Sequence, residues 1–83
     1  MDETTIRAAV FAALRSIAPE VSPDQIPDDK PFRDEVDLDS MDFLNFLIRL
    51  HEKLGVNVPE ADYAKLVTLN DLVSYLRARL ASR

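Results

Sequence analysis

In this chain of 83 residues the side chains able to do chemistry are few. Cysteine is absent and histidine occurs once, as His51. Neither a disulfide nor a thiolate metal site can form, and a lone imidazole makes no zinc site. The densest group of polar atoms is Asp37-Leu38-Asp39-Ser40-Met41-Asp42, which admits three chemistries. As a helix start it is well made: Asp and Ser are leading N-cap residues, and Asp42 sets a second acid in the first turn, against the positive end of the helix. As a calcium loop it fails, because Asp42 stands at the sixth position, where Gly is needed, and Ile48 stands where the bidentate Glu belongs. As a nucleophile, Ser40 would need a base within hydrogen-bond reach. The only histidine lies eleven residues along the same predicted helix, on the order of 16 Å away at about 1.5 Å rise per residue. Two groups on one rigid rod do not meet, so a small hydrolase lacks its base and His51 reads as a surface residue.

Composition narrows the class further. A hydrophobic fraction of 47% is enough for one modest core and excludes a disordered tail. A chain of this length makes one domain, residues 1–83. The net charge of −5 argues against a binder of nucleic-acid phosphates. Among large side chains the longest apolar run is Phe46-Leu47-Ile48, far short of the roughly 18 residues of a membrane span. The opening Met-Asp-Glu-Thr-Thr is acidic where a signal peptide is basic, so a cytoplasmic location is expected. Charge is also uneven: from Glu20 to Asp42 nine acids face only Lys30 and Arg33, a local net of −7, while the remainder nets +2. Such a run is either a solvated loop or a surface toward which a basic partner is steered.

The elements that must position this group follow from spacing. Ile6, Val10, Leu14 and Ile17 form one stripe of an amphipathic helix from about Asp2 to Ala18, enriched in alanine and ended by Pro19. Pro19, Pro23, Pro27 and Pro31 then recur every four residues and forbid a long regular helix. The scattered Val21, Ile26, Phe32, Val36 and Leu38 predict that this loop of about 20 residues is anchored irregular chain against the core. A second helix begins at Asp39-Ser40, with Phe43, Leu47, Leu50 and Leu54 on its apolar stripe and Leu44 and Ile48 widening it, while Phe46 falls off the stripe's centre. Met41 is expected to be half buried. Gly55, the only glycine, suits a left-handed closing residue. Val56-Asn57-Val58 reads as an extended connector. Pro59, at a first helical position, starts a short third helix through about Lys65. Leu72, Val73, Leu76 and Leu80 mark the last helix, Asn70 to about Ala81, with Asn70 and Asp71 at its start and Arg77, Arg79 and Arg83 toward its end. The expected fold is an all-α four-helix bundle with three longer helices, one short third helix and a long first loop.

Taken together, Phe32-Arg33-Asp34-Glu35-Val36-Asp37-Leu38-Asp39-Ser40-Met41-Asp42, Val58-Pro59-Glu60 and Thr68-Leu69-Asn70-Asp71-Leu72 resemble, in register over nearly the whole chain, the acyl carrier protein family. Its Asp-Ser-Leu signature reads here Asp39-Ser40-Met41. The resemblance implies that Ser40 carries a covalent 4′-phosphopantetheine arm. A phosphopantetheinyl transferase, using CoA and magnesium, installs the arm, and acyl groups ride as thioesters on its sulfur. It also implies Asp39, Met41 and Asp42 as recognition residues for acyl-loading and acyl-transferring enzymes with basic docking surfaces. A phosphodiester at Ser40 would lie near unpaired backbone amides, a favourable place for an anion.

Two departures from the family pattern stand out. Val36-Asp37 replaces the usual Leu-Gly, so the loop must turn without glycine. Beyond Asp42 the second helix reads Asn45, Arg49, His51, Glu52 and Lys53, less acidic than in carriers of housekeeping fatty-acid synthesis, which favours a specialised lipid, fatty-acid-like or polyketide pathway. The expectation is therefore a discrete, monomeric, non-enzymatic carrier with no metal of its own. The alternatives are an aminoacyl or peptidyl carrier, and a helical protein–protein interaction module in which Ser40 is a plain helix cap.

Overall fold

The computed structural model describes residues 2–22 and 26–81, so Pro23, Asp24 and Arg83, invoked above, lie outside the described residues. The element order is α1 (Glu3–Ile17), α2 (Phe32–Glu35), α3 (Ser40–Leu54), a 3-10 helix (Glu60–Lys65) and α4 (Leu69–Ala81). The all-helical class expected from the sequence holds, and among the described residues the only β-type pairing is an isolated bridge between Pro31 and Thr68.

In α1 the Asp2 side chain accepts from the Thr5 amide at 2.8 Å, and Ile6, Val10, Ala13 and Leu14 are buried against α3 and α4. The following loop is anchored as its apolar residues predicted: Val21, Ile26, Phe32 and Leu38 are all buried. Its backbone is pinned as well. The Asn70 amide donates to the Asp28 carbonyl at 3.1 Å, the Phe32 amide donates to the Val67 carbonyl at 3.1 Å, and the Asp28 carboxylate pairs with Arg7.

The loop is not wholly irregular, because α2 makes one helical turn directly after Pro31. That turn closes with the Val36 amide on the Phe32 carbonyl at 3.0 Å and the Leu38 amide on the Arg33 carbonyl at 2.9 Å. Between them Asp37 sits at φ 54°. This is the left-handed closing position glycine usually fills, so the turn that lacked its glycine is made by an aspartate, one of the few residues that enter this region.

Three expectations need correction. On α3 the buried residues are Phe43, Phe46, Leu47, Leu50 and Leu54. Leu44 and Ile48, expected to widen the core stripe, are exposed at 40% and 47%, while Phe46, placed off-centre, is fully buried. The cause is Phe32. Its ring packs edge-on against Phe46 with centroids 5.8 Å apart and against Phe43 at 6.0 Å, so the core approaches α3 from the Phe46 side. Second, Pro59 precedes its helix as the cap residue, with ψ 147°, and the helix is 3-10 in type. Third, α4 begins at Leu69, one residue earlier than Asn70. Its cap is Thr68, whose hydroxyl accepts from the Asp71 amide at 3.1 Å while the Asp71 carboxylate accepts from the Thr68 amide at 3.2 Å. This reciprocal arrangement is a capping box.

Gly55 closes α3 at φ 71°, its amide on the His51 carbonyl at 2.8 Å. In the extended connector Val56 and Val58 are buried and Asn57 is exposed, and His51 lies on the surface.

Candidate functional site

Ser40 is the first residue of α3, and it is exposed. Asp39 precedes it in extended conformation, with its carboxylate accepting from the Asp42 amide at 2.8 Å and its carbonyl accepting from the Phe43 amide at 2.9 Å. The helix cap is therefore Asp39. Ser40 makes no capping bond among the described residues, so the plain-cap role considered for it is taken by its neighbour. The amides of Ser40 and Met41, the two left over in the first turn at the positive end of α3, have no acceptor among the described residues.

The four residues singled out from the sequence thus sit together at one helix start. Asp39 is exposed and Asp42 partly so. Met41, expected to be half buried, is 65% exposed. The helix turns about 100° per residue, so Met41, two residues before Phe43, points away from the core. It lines up at helical spacing with Leu44 and Ile48, forming a second, solvent-facing apolar stripe on the same helix.

Beside Ser40 an open pocket of about 460 Å³ lies between α2, α3 and the 3-10 helix, lined by Arg33, Phe43, Leu44, Glu60, Tyr63 and Ala64. Two of its features escaped sequence reasoning. The Arg33 guanidinium lies 4.5 Å from the centre of the Phe43 ring, and Tyr63 meets that ring edge-on at 5.8 Å. The signal available was slight: Arg33 is one of only two bases in the acidic run.

The far side of the 3-10 helix is tied to α4 by a polar cluster. The Tyr75 hydroxyl donates to the Asp62 carboxylate at 2.6 Å. Arg79 reaches Asp62 at 3.3 Å and the Tyr75 hydroxyl at 2.8 Å, and Lys65 reaches Asp62 at 3.2 Å. The Tyr75 hydrogen bond, then the one from Lys65, hold the Asp62 carboxyl below its ordinary value. Burial, followed by the neighbouring carboxylate, pushes the Tyr75 hydroxyl up. Among the described residues no three of His, Cys, Asp and Glu gather as a metal site would require, and no helix is long and apolar enough to cross a membrane.

Comparison with known proteins gives the family. The family model described as "Phosphopantetheine attachment site" matches residues 5–76. The chain is 35% identical over 71 residues to an acyl carrier protein of Rhodococcus erythropolis, covering 82% of this chain and 78% of that one. It is 32% identical over 75 residues to the acyl carrier protein of Renibacterium salmoninarum, covering 87% and 93%. It is also 32% identical over 71 residues to a meromycolate extension acyl carrier protein of Mycolicibacterium aurum, covering 82% and 73%. With a helical fold, an exposed serine at the expected helix start and likeness over most of its length, the chain belongs to the acyl carrier protein family, whose members carry acyl intermediates on a covalently attached 4′-phosphopantetheine arm.

Proposed function

We propose that Ser40 is the residue that bears the arm, and that the protein is a discrete, monomeric, cytoplasmic carrier, one domain over residues 1–83, without catalytic activity of its own. The observation that carries this reading is that Ser40 is an exposed residue at the first position of a helix whose cap is supplied by Asp39. Because Asp39 holds the helix end, the Ser40 oxygen is free of structural duty. In the loading step that oxygen forms a bond to the phosphorus of CoA nearest the pantetheine. The bond from that phosphorus to the departing adenosine bisphosphate breaks, and the serine proton passes to a base. The chain needs no base of its own, since the transferase supplies it together with magnesium. The product is a phosphodiester anion beside the two open amides of α3, which favour negative charge.

Asp39 and Asp42 add acids where basic partner enzymes would dock, and the projecting Met41 offers a flexible apolar contact that adapts to more than one surface. The pathway we assign is a specialised lipid one. Two features support it: the second half of α3 carries Arg49, His51 and Lys53 against Glu52 alone, and the M. aurum relative is named for meromycolate extension.

The test is incubation with a broad-specificity phosphopantetheinyl transferase, CoA and magnesium, followed by intact mass measurement. One prosthetic-group mass is expected on the wild type and none on Ser40→Ala. A wild type that gains nothing, or a gain that survives Ser40→Ala, overturns the assignment. Ser40→Asp keeps stability within about 1 kcal/mol, since the cap is elsewhere, yet abolishes loading.

A further inference from the structure

Among the described bases, Arg33 alone rests on an aromatic ring without also making an ion pair. It sits among Asp34, Glu35, Asp37, Asp39 and Asp42 in the most acidic stretch of the chain, yet among the described residues it makes no ion pair. Arg15, Lys30 and Lys53 also make none, whereas Arg7, Arg49, Lys65, Arg77 and Arg79 do; Arg33 differs from the first group in having a ring to rest on. It is held over the Phe43 ring at 4.5 Å, well within the roughly 6 Å of a cation–π contact. Phe43 is itself fixed, being buried at 3% exposure and braced by Phe32 and Tyr63.

A guanidinium resting on a ring engages its face and keeps its in-plane N–H donors, which match the oxygens of a phosphate group in pairs. The same pocket wall contains Ser40. The cation therefore lines the same pocket as the residue that, on the reading above, acquires a phosphodiester.

We infer that Arg33, stacked on Phe43, is a positioning residue for the prosthetic group: it pairs with the phosphodiester on Ser40. The inference rests on the assignment of Ser40. Glu60 also lines this pocket and repels an anion, so the phosphodiester is favoured on the side of the cation. The oxygen-lined ligand and the cation are both near solvent, so their attraction is moderate and screened by salt.

The experiment compares apo and holo protein, both ¹⁵N-labelled, after intact mass has established loading. The expected result has three parts. The Arg33 Nε–Hε resonance moves when the arm is installed. The ³¹P resonance of the wild-type phosphodiester differs from that of holo Arg33→Gln, and the difference shrinks as NaCl is raised. A merely structural role for Arg33 would not move a phosphorus resonance in a salt-dependent way. If the protein loads but its Arg33 Nε–Hε resonance stays in place, this inference alone is overturned, and that measurement requires no variant to fold. If the wild type gains no mass, the Ser40 assignment falls and this inference falls with it.

Discussion

The starts of α3 and α4 are made of similar residues and end up in opposite states. At α4 the capping box between Thr68 and Asp71 is closed on both sides, and the next amide, that of Asn70, is taken by the Asp28 carbonyl of the long loop. At α3 only the third amide is capped, by Asp39, and the first two have no acceptor among the described residues. The difference lies in what covers each start. The loop crosses the beginning of α4, with Phe32 bonded to Val67 and Pro31 bridged to Thr68, whereas it turns away at Asp37 before α3 and leaves that end bare. Open amides by themselves are not the lesson, because α1 begins with the same pattern, Asp2 capping only Thr5 and Ile6. What sets α3 apart is a serine at its first position, a pocket beside that serine and an arginine in the pocket wall.

On this contrast, α3 is held by its buried flank and not by its start. Phe46→Ala then has the largest effect. It removes a fully buried ring at about 3–5 kcal/mol, comparable to everything the core of a domain this small supplies. Urea titration followed by circular dichroism should find it unfolded or nearly so without denaturant. A loss below 1 kcal/mol would mean that α3 is anchored elsewhere.

The next test sets the two starts against each other. Thr68→Ala opens the capping box and costs about 0.5–2 kcal/mol, yet at a temperature where the variant is folded it loads as fast as the wild type. Asp39→Asn keeps a good cap and costs almost nothing in stability, but it removes a charge next to Ser40 and slows loading by the transferase. Equal slowing by both substitutions would erase the distinction between a structural and a functional helix start.

A smaller and opposite effect is expected where the loop turns away from α3. Asp37 holds φ 54° in place of glycine, and Asp37→Gly removes that backbone strain. After the greater chain entropy of an unfolded glycine is set against it, the gain is about 0.5–1 kcal/mol, read as a higher urea midpoint at unchanged slope. Loss of stability would mean that the Asp37 side chain does more than tolerate the turn.

What could be read from the residues alone divides along the same line. Asp39-Ser40 at the start of α3 was legible because a cap is local chemistry, made and satisfied within four residues. So was Gly55, and so was the stripe of Ile6, Val10 and Leu14, which needs only its own helix to define a face. The burial of Phe46 was not legible, since it is decided by Phe32, a ring from the loop. Leu44 and Ile48 were misplaced for the same reason: their apolar character fits either flank of α3, and only the position of α2 decides between them. Arg33 was invisible as a pocket residue because its partner ring belongs to another helix. The α4 start is a different case. Thr68 and Asp71 stand at capping-box spacing, so the local signal was present and Asn70 was preferred over it.

The smallest expected effect concerns the brace behind the pocket, where Asp62 joins the 3-10 helix to Tyr75 and Arg79 of α4. Its carboxyl is held below the ordinary 3.8, chiefly by the Tyr75 hydrogen bond and then by Lys65. A carboxyl depressed in the folded state stabilises the protein above its unfolded value, and that contribution fades as pH falls through the lower, folded value. The Asp62→Asn variant keeps an acceptor for Tyr75 but carries no charge. Its melting temperature should therefore sit slightly below the wild type's at neutral pH, by a constant amount, and the two should converge as pH drops below about 3.8. Thermal melts between roughly pH 2 and pH 7 measure this. Because Tyr63 and Glu60 on the same 3-10 helix line the pocket beside Ser40, hydrogen exchange of the amides of residues 60–65 should quicken in Asp62→Asn at neutral pH. If the two melting temperatures instead keep the same separation down to the most acid point, ionisation of Asp62 contributes nothing to the stabilisation. The pocket's back wall is then held without charge.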